Sequence, residues 1–401
     1  MKSVNAKMKE LGEKRSVIRE IFEYAKARSA AIGAENVFDF SIGNPSVPAP
    51  DCVNEAIERI VRETPSVLLH GYTSAQGDAN VRKTVADYLN KNFGTRLTAD
   101  NLYMTCGAAA SLTISMHAVA VPGEEIVTFA PYFTEYKVFA EGAGCTLKVL
   151  PSDKDLLPDF TALEEAISPK TRAVVINSPN NPSGVVYGEE VIRRLAAVLG
   201  KKQKEYGRDI YLIADEPYRE LVYDEGVTVP YIMNYYQNTL VCYSWSKSLS
   251  LPGERIGYIA VSPEMPDWQA VYAAVCGAGR SLGYVCAPSL LQRVVAACIG
   301  KTSDTSVYKA NRDLFYEALT SYGYDVIRPD GAFYLFVRSL EEDAYAFCER
   351  AKKYELLFVP GDDFGRAGYV RIAYCVAPET IRRALPAFEK LAAEYGKGKK
   401  Q

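Results

Sequence analysis

Residues 243–258 read YSWSKSLSLPGERIGY and lead directly into an apolar run that is typical of a β-strand. Lys247 lies among small hydroxyl side chains, and Arg255 follows in the same stretch. A lysine amine can form an imine with an aldehyde cofactor, while hydroxyls and a guanidinium can hold a phosphate group. An ordinary surface loop could have the same composition, so the rest of the chain has to distinguish the two interpretations.

Strand-like and helical segments alternate through the middle of the chain. The β-branched runs are continuous, as expected for strands that are buried on both faces. This alternation predicts an α/β domain with a mostly parallel central sheet. The predicted strands are residues 102–105, 125–129, 146–150, 173–177, 210–214, 239–243 and 256–261, and a long helix is predicted at 189–206.

The pattern changes after about residue 290, where helices and strands indicate a smaller α+β domain. The N-terminal residues 15–32 form an amphipathic helical pattern that can pack on this domain. Its apolar positions are Val17, Ile18, Ile21, Phe22 and Ala25. The expected domains are a large one at residues 46–288, and a small one made of residues 1–45 and 289–401.

Within these domains the sequence predicts further elements. A helix at 51–63 is expected to use Asp51 as its N-cap. A long helical region is expected at 288–299 and 306–322. The remaining predictions are strands at 38–42, 324–327, 332–337 and 369–374, and helices at 79–92, 108–120, 341–354 and 378–395.

Composition excludes several classes of function. The 401 residues carry a net charge of −3, which gives no electrostatic reason to expect nucleic acid or an anionic membrane as a partner. No apolar run approaches ~20 residues, and the N-terminus has no apolar signal-peptide core, so we expect a cytoplasmic protein. The nine cysteines contain no C-x-x-C pair and there are only two histidines, so no metal site is expected.

Candidate binding residues follow three of the predicted strands, at the carboxyl ends where parallel sheets bind ligands. Gly107 joins a strand to a helix, and backbone N–H groups at such a helix N-terminus can bind an anion. Asn181, held in a proline-rich turn, can donate an amide hydrogen bond to a phenolate oxygen on a cofactor ring. Asp215 ends a buried strand and therefore needs a cationic partner such as a protonated pyridine nitrogen. Tyr218 follows three residues later and could reach the same ring oxygen as Asn181.

Two further residues complete the candidate set. Phe133 follows a strand and could stack on a planar ring, although core packing would explain it equally well. Arg371 lies among apolar neighbours in a late strand and needs a planar anion, which a substrate carboxylate would supply. Together these side chains suit an aldehyde cofactor that carries a phosphate and a pyridine ring.

On these residues the sequence resembles the class I/II aminotransferases of the aspartate aminotransferase superfamily, which have the type I fold of pyridoxal-phosphate enzymes. The resemblance extends from residue 40 to Arg371. It rests on the order of short motifs, each modest alone. They are FSIGNP at 40–45, Tyr72 to Gly77, Gly107-Ala108-Ala109, SPNNPSG at 178–184, DEPY at 215–218, SWSK at 244–247 with Arg255, and Arg371.

The resemblance implies that Lys247 binds pyridoxal 5'-phosphate as an aldimine and carries protons in a ping-pong transfer between an L-amino acid and a 2-oxo acid. Lys247, Asp215 and Tyr218 would be catalytic. The implied cofactor-binding residues are Gly107, Ala108, Ala109, Phe133, Asn181, Asp215, Tyr218, Ser244, Ser246, Arg255 and, reaching into a neighbouring subunit, Tyr72. The implied substrate-binding residues are Gly43, Asn181 and Arg371.

Several alternatives stay open on the sequence. A C–S β-lyase, an acyl-transferring synthase or a non-catalytic binder of the same cofactor would share this fold and lysine. An effector-sensing regulator is disfavoured, since only about 40 residues precede the first strand. The implied homodimer has shared active sites, but the amino donor is undetermined. Ala108, Ala109 and Ala110 provide no cation for an acidic side chain, and Arg280 is a candidate for that role with a structural role as its alternative.

Overall fold

The computed structural model of the protein describes residues 4–13 and 17–398. The helices are α1 (Ala6–Glu13), α2 (Val17–Ile32), α3 (Asp51–Glu63), α4 (Ser66–His70), α5 (Ala79–Phe93), α6 (Ala108–Val119), α7 (Glu135–Gly142), α8 (Phe160–Ala166), α9 (Glu189–Tyr206), α10 (Trp245–Ser248), α11 (Trp268–Leu282), α12 (Ser289–Ala297), α13 (Ser306–Ser321), α14 (Ala344–Ala351) and α15 (Pro378–Glu394). The strands are β1 (Phe38–Asp39), β2 (Leu102–Thr105), β3 (Glu125–Phe129), β4 (Thr146–Leu150), β5 (Thr171–Asn177), β6 (Tyr211–Asp215), β7 (Thr239–Ser244), β8 (Gly257–Val261), β9 (Asp325–Ile327), β10 (Tyr334–Arg338), β11 (Leu356–Leu357), β12 (Val359–Pro360) and β13 (Tyr369–Ala373).

Contacts divide the described residues into two units. The large unit is Pro45–Ser306 with Pro329–Ala332. The small unit consists of the described residues before Pro45, Val307–Arg328 and the described residues from Phe333 onward. Each unit has its own sheet.

The large unit is built on a seven-stranded sheet with the order β2-β8-β7-β6-β5-β3-β4. Strands β4, β3, β5, β6 and β7 run parallel to one another, and β8 runs antiparallel to both β7 and β2. β8 runs the other way because residues 245–256 form a short connection that returns directly beside β7. The predicted α/β class with a mostly parallel sheet is confirmed.

Burial explains why the central strands read as continuous apolar runs. Every residue of β7 and β8 is buried, since both faces of the sheet are covered. Helix α6 packs against α11, and a core cluster with Tyr103, Ile114 and Val275 joins both helices to the sheet. This core holds the strand ends in fixed positions, which is what a site built on them requires.

The small unit contains an antiparallel sheet with the order β12-β13-β10-β9 and a separate parallel pair, β1 and β11. Phe40 lies between the ring of Phe315 from α13, at 5.1 Å between centroids, and the ring of Phe388 from α15, at 6.0 Å. The N-terminal segment is tied to this unit by Arg28, whose Nε lies 3.0 Å from Glu355. The N- and C-terminal parts of the chain therefore fold together, with an α+β arrangement.

The boundary between the units differs from the one predicted from sequence. The predicted boundary lay after residue 288, whereas the large unit extends to Ser306. Helix α12 belongs to the large unit because it packs on α3, α4 and α5. The carbonyl of its Gln292 side chain accepts a 2.8 Å hydrogen bond from the Asp78 backbone N–H. Helical pattern alone does not say which core a helix joins.

Two local expectations also need correction. Asp51 is the first residue of α3 rather than its N-cap, which is Pro50 without a side-chain capping bond. In α2 the buried residues are Ile21 and Ala25, whereas Phe22 is 41% exposed. The apolar stripe is narrower than the sequence pattern suggests, and the predicted start of this helix at residue 15 lies outside the described residues.

No helix within residues 4–13 and 17–398 combines the length and apolar character needed to cross a bilayer.

Candidate active site

The carboxyl ends of four strands of the large unit carry the predicted site residues. Asp215 is the last residue of β6 and lies opposite Asn177 of β5 on one side and Cys242 of β7 on the other. Ser244, at the end of β7, pairs with Gly257, which also pairs with Thr105 at the end of β2. The motifs around residues 107, 178–184, 215 and 244–255 are therefore brought to one edge of the sheet.

Asp215 is a buried carboxylate with only one of its oxygens satisfied. Its side chain is 5% exposed, and Oδ2 accepts a 2.6 Å hydrogen bond from the hydroxyl of Tyr136. Within the described part of the chain, Oδ1 has no hydrogen-bond partner. Burial raises the pKa of Asp215 to about 7. The hydrogen bond from Tyr136 acts to lower this pKa, and the negative charge of Glu216 acts to raise it. A cationic N–H donor would satisfy this oxygen and keep the carboxylate ionised.

The pKa shift predicts how the stability of the protein without ligand depends on pH. Between the ordinary value of 3.8 and about 7, the folded protein keeps a proton on Asp215 that the unfolded chain has lost. The free energy of unfolding therefore falls as pH rises through this window. We expect Asp215→Asn to remove this component, so that the variant gains about 4 kcal/mol relative to wild type between pH 4 and pH 8.

Urea unfolding of both ligand-free proteins at fixed protein concentration measures this difference. Carboxylates that do not interact with Asp215 titrate alike in both proteins and cancel in the comparison. A difference in unfolding free energy that stays constant across this pH range would contradict the assignment of the buried proton to Asp215.

Gly107 and Arg255 form a cradle at the start of α6. Gly107 is the N-cap residue with φ +90°, a conformation that disfavours other residues. A Cβ at this position would lie 2.9 Å from Nη2 of Arg255, so glycine is what lets the guanidinium approach. The first backbone N–H groups of α6, at Ala108 and Ala109, have no acceptor within their own helix. The cradle thus presents a guanidinium and free N–H donors, which suits a phosphate dianion.

Lys247 lies in α10, immediately after β7. Ser244 is the N-cap of this short helix, and its hydroxyl donates to Oγ of Ser246 at 3.1 Å. Both serines are buried and Lys247 is half-buried. The backbone N–H of Trp245 bonds to the carbonyl of Ile256 at 3.3 Å, which holds the lysine segment beside the segment that carries Arg255.

Asn181 and Phe133 each contact a residue that also bonds to Asp215. The backbone N–H of Asn181 donates to Oδ1 of Asn177 at 2.6 Å, and Nδ2 of Asn177 donates to the Asp215 carbonyl at 2.7 Å. The ring of Phe133 packs edge-on against Tyr136, with 5.7 Å between ring centroids. Tyr218 is 5% exposed and lies three residues beyond Asp215.

The predicted substrate residues Gly43 and Arg371 lie in the small unit. Arg371 is 2% exposed and donates through Nη2 to the carbonyl of Ser41. Its guanidinium carbon lies 4.7 Å from the ring centroid of Tyr334 and 4.9 Å from that of Phe364. A Cβ on Gly43 would overlap the hydroxyl of Tyr334, so Gly43 and Arg371 share a neighbour.

Two predicted residues are at the surface of this chain. Tyr72 is 98% exposed. Arg280 is exposed in the last turn of α11, and its carbonyl accepts the backbone N–H of Gly283.

Several residues that shape the site were not predicted from the sequence. Tyr136, Asn177 and Tyr334 were not predicted, although Tyr136 follows Phe133 by three residues and could have been noticed as a helical neighbour. A buried ion pair was missed as well, in which Nε of Arg219 lies 2.6 Å from Oε2 of Glu216. Only the fold shows which polar atoms these side chains contact.

Comparison with known proteins gives the family. A family model described as aminotransferase class I and II matches residues 35–388. The chain belongs to this family. The resemblance to class I/II aminotransferases and the expectation of a transaminase are therefore confirmed.

Individual relatives are similar to this chain over nearly the whole length of both proteins. The crystal structure of an amino transferase from Eubacterium rectale is 57% identical, with a TM-score of 0.97, over 99% of this chain and 100% of that one. An aspartate aminotransferase from Pyrococcus horikoshii is 30% identical over 94% of both chains. The structure of aspartate aminotransferase from Thermus thermophilus with maleate is 25% identical, with a TM-score of 0.85, over 98% of this chain and 100% of that one.

Proposed function

We propose that this aminotransferase binds pyridoxal 5'-phosphate through Lys247 and moves an amino group from an L-amino acid to a 2-oxo acid in a ping-pong reaction. The observation that carries the proposal is Asp215, whose Oδ1 is buried and has no hydrogen-bond partner among the described residues. A protonated pyridine nitrogen supplies the missing donor and charge. When bound, this cofactor supplies an electron sink for the carbanion formed at the substrate Cα.

The remaining large-unit residues have binding roles. Ser244, Ser246, Arg255 and the N–H groups of Ala108 and Ala109 hold the phosphate, because they provide a charge and several donors at one strand-end edge. Asn181 and Tyr218 bind the ring oxygen, Phe133 covers one face of the ring, and Asp215 holds the ring nitrogen. These roles account for the buried polar residues that a packing role alone would not explain.

Lys247 has two tasks. Its amine would hold the cofactor through a covalent bond to the aldehyde carbon. Once the substrate amine has displaced it, Nζ of Lys247 would accept the proton from the substrate Cα and deliver it to the cofactor carbon that had carried the aldehyde.

Arg371 binds the substrate α-carboxylate. A guanidinium can grip a carboxylate with two parallel hydrogen bonds. The carbonyl of Ser41 and the rings of Tyr334 and Phe364 restrict the orientation of the guanidinium before substrate arrives. Gly43 lets the Tyr334 hydroxyl approach the backbone closely, because a Cβ at this position would overlap that hydroxyl.

We also propose a homodimer in which Tyr72 reaches the phosphate bound by a second copy of the chain. Tyr72 is 98% exposed, and the nearby apolar residues Val67 and Leu68 are 84% and 63% exposed. An apolar segment this open in one chain suits burial against another chain. Sedimentation analysis, together with cofactor titration of Tyr72→Phe, tests both parts of this proposal.

Arg255→Ala should weaken cofactor binding about ten- to a hundredfold, since charge-assisted hydrogen bonds to the phosphate are lost. Quenching of tyrosine and tryptophan fluorescence, during titration of the cofactor-free protein with pyridoxal 5'-phosphate, gives the dissociation constant. Arg96→Ala is the matched control, because Arg96 is an exposed arginine paired with Glu264 at 2.7 Å. Equal dissociation constants for the two variants would count against the phosphate role of Arg255.

A panel of amino acids tests the reaction itself. We expect the visible absorbance of the bound cofactor to be lost with at least one L-amino acid and restored by a 2-oxo acid. The relatives' names do not narrow the donor, since they include aspartate, prephenate and N-acetyl-LL-diaminopimelate aminotransferases. Release of pyruvate and ammonia without an acceptor would instead indicate a lyase, and no half-reaction with any donor would refute the proposal.

A further inference from the structure

Tyr136 is a buried tyrosine at the centre of the candidate site. It lies in the first turn of α7, is 1% exposed and contacts Asp215 through its hydroxyl at 2.6 Å. The two residues are 79 positions apart in sequence. Because Asp215 Oδ2 is held in this way, Oδ1 is the oxygen left for a ligand.

The hydroxyl of Tyr136 is a neutral donor over the whole working pH range. Burial and the negative charge of Asp215 raise the pKa of Tyr136 well above its ordinary value, so it stays protonated. A donor to a carboxylate stabilises the ionised form of that carboxylate. Tyr136 thus opposes the burial that raises the pKa of Asp215 to about 7.

The ring of Tyr136 has a second contact. It packs edge-on against Phe133, with an interplanar angle of 87°. The backbone N–H of Tyr136 also donates to the carbonyl of Phe133 at 3.0 Å. One residue therefore holds both the carboxylate and the aromatic ring that are proposed to contact the cofactor.

We propose that Tyr136 is a positioning residue that fixes the orientation of Asp215, keeps its carboxylate ionised and thereby keeps the cofactor's ring nitrogen protonated. This inference rests on the proposed function, because it concerns the same site. The hydroxyl acts through Asp215 and does not itself contact the cofactor.

Other titratable groups near Asp215 do not provide this donor. Glu216, next in sequence, is paired with Arg219. The Cys242 thiol from β7 is hydrogen-bonded to the Ser115 hydroxyl at 3.3 Å. Burial raises the pKa of this thiol far above the working pH range. Tyr218 lies close enough to Tyr136 to raise the pKa of that hydroxyl. Among the described residues, Tyr136 is the one with a hydrogen bond to the Asp215 carboxylate.

The test is Tyr136→Phe, which keeps the ring and its packing on Phe133 but removes the hydroxyl. Without that donor the Asp215 carboxylate becomes more basic and takes a larger share of the proton that it exchanges with the ring nitrogen. The ring then carries less positive charge, so the link between Lys247 and the cofactor holds its own proton more tightly. We expect the pH midpoint of the cofactor's visible absorbance change to rise by roughly one unit.

Tyr187→Phe is the matched control. Tyr187 is another buried tyrosine, lines the same small cavity as Tyr136, and has no hydrogen bond to the Asp215 side chain among the described residues. Thermal unfolding of both variants without cofactor checks that each is folded. Removing the Tyr187 hydroxyl should leave the absorbance midpoint at the wild-type value.

The outcomes separate this inference from the proposed function. A raised midpoint in folded Tyr136→Phe, absent in Tyr187→Phe, supports the positioning role. A midpoint in Tyr136→Phe that is unchanged or lowered overturns it, even though wild type binds the cofactor. If wild-type protein gives no visible absorbance with pyridoxal 5'-phosphate, the proposed function itself fails.

Discussion

Replacing Lys247 with alanine is expected to slow amino-group transfer by roughly 10⁴-fold. The amine is proposed both to bond the cofactor and to carry the substrate Cα proton, so one substitution removes two functions. The neighbouring Ser246 and Ser248 are buried and carry no amine, so neither can take over the role of Lys247. Alanine suits a helical position, so the backbone of α10 should be kept.

The measurement is a single-turnover reaction of cofactor-loaded enzyme with an amino donor, followed by absorbance. Loaded Lys247→Ala should retain cofactor through the phosphate cradle of Gly107 and Arg255, although without the covalent bond. Lys83→Ala is the control, because Lys83 is an exposed lysine of α5 that pairs with Asp87 at 2.6 Å. Wild-type single-turnover rates in Lys247→Ala would disprove the assignment.

The second large effect is expected for Asp215→Asn. The amide has nearly the same shape and can still accept the Tyr136 hydroxyl, but it carries no negative charge. The ring nitrogen loses the partner that keeps it protonated, so the carbanion is less stabilised. We expect the rate of proton removal from the substrate Cα to fall by roughly 10²–10³-fold, with a smaller loss of cofactor affinity.

Deuterium at the substrate Cα provides the check for this variant. If proton removal becomes slower, the kinetic isotope effect on the half-reaction should be as large as in wild type or larger. Asp87→Asn, on the exposed face of α5, is the control with the same change of charge. A variant that loses rate only through weaker cofactor binding, and recovers at saturating cofactor, would contradict the electronic role of Asp215.

Together with its effect on stability, Asp215→Asn gives opposite results for two properties. The ligand-free variant is expected to be more stable than wild type at pH 8, because the buried charge is gone, and yet less active when loaded. Such a trade-off is typical of a residue kept for function at a cost in stability. A purely structural aspartate would lose stability on the same substitution.

Much of the fold could be predicted from local patterns. The continuous apolar runs predicted the central strands closely, for example residues 125–129 and 239–243 against the observed Glu125–Phe129 and Thr239–Ser244. Helix 189–206 agreed with the observed Glu189–Tyr206. These features depend on side-chain periodicity and on turn residues, and both signals come from residues that are close together in the sequence.

Features that depend on packing between distant segments were harder to predict from the sequence. Helix α12 joins the large unit because its side chains fit α3, α4 and α5, and a helical pattern does not identify its partner. Phe22 was predicted to face a core but is 41% exposed, since periodicity marks an apolar stripe and not its width. Short strands such as Leu356–Leu357 have too few residues to produce a pattern.

The stretch at 243–258, with the motifs before and after it, determined the family and the candidate lysine from sequence alone, because each motif is local and their order is specific. Only the tertiary structure placed the Tyr136 hydroxyl on Asp215 and Gly107 against Arg255. Those contacts join residues that are far apart in the chain, and they arise when the sheet brings its strand ends to one edge. Which oxygen of Asp215 remains for a ligand is therefore a property of the folded protein.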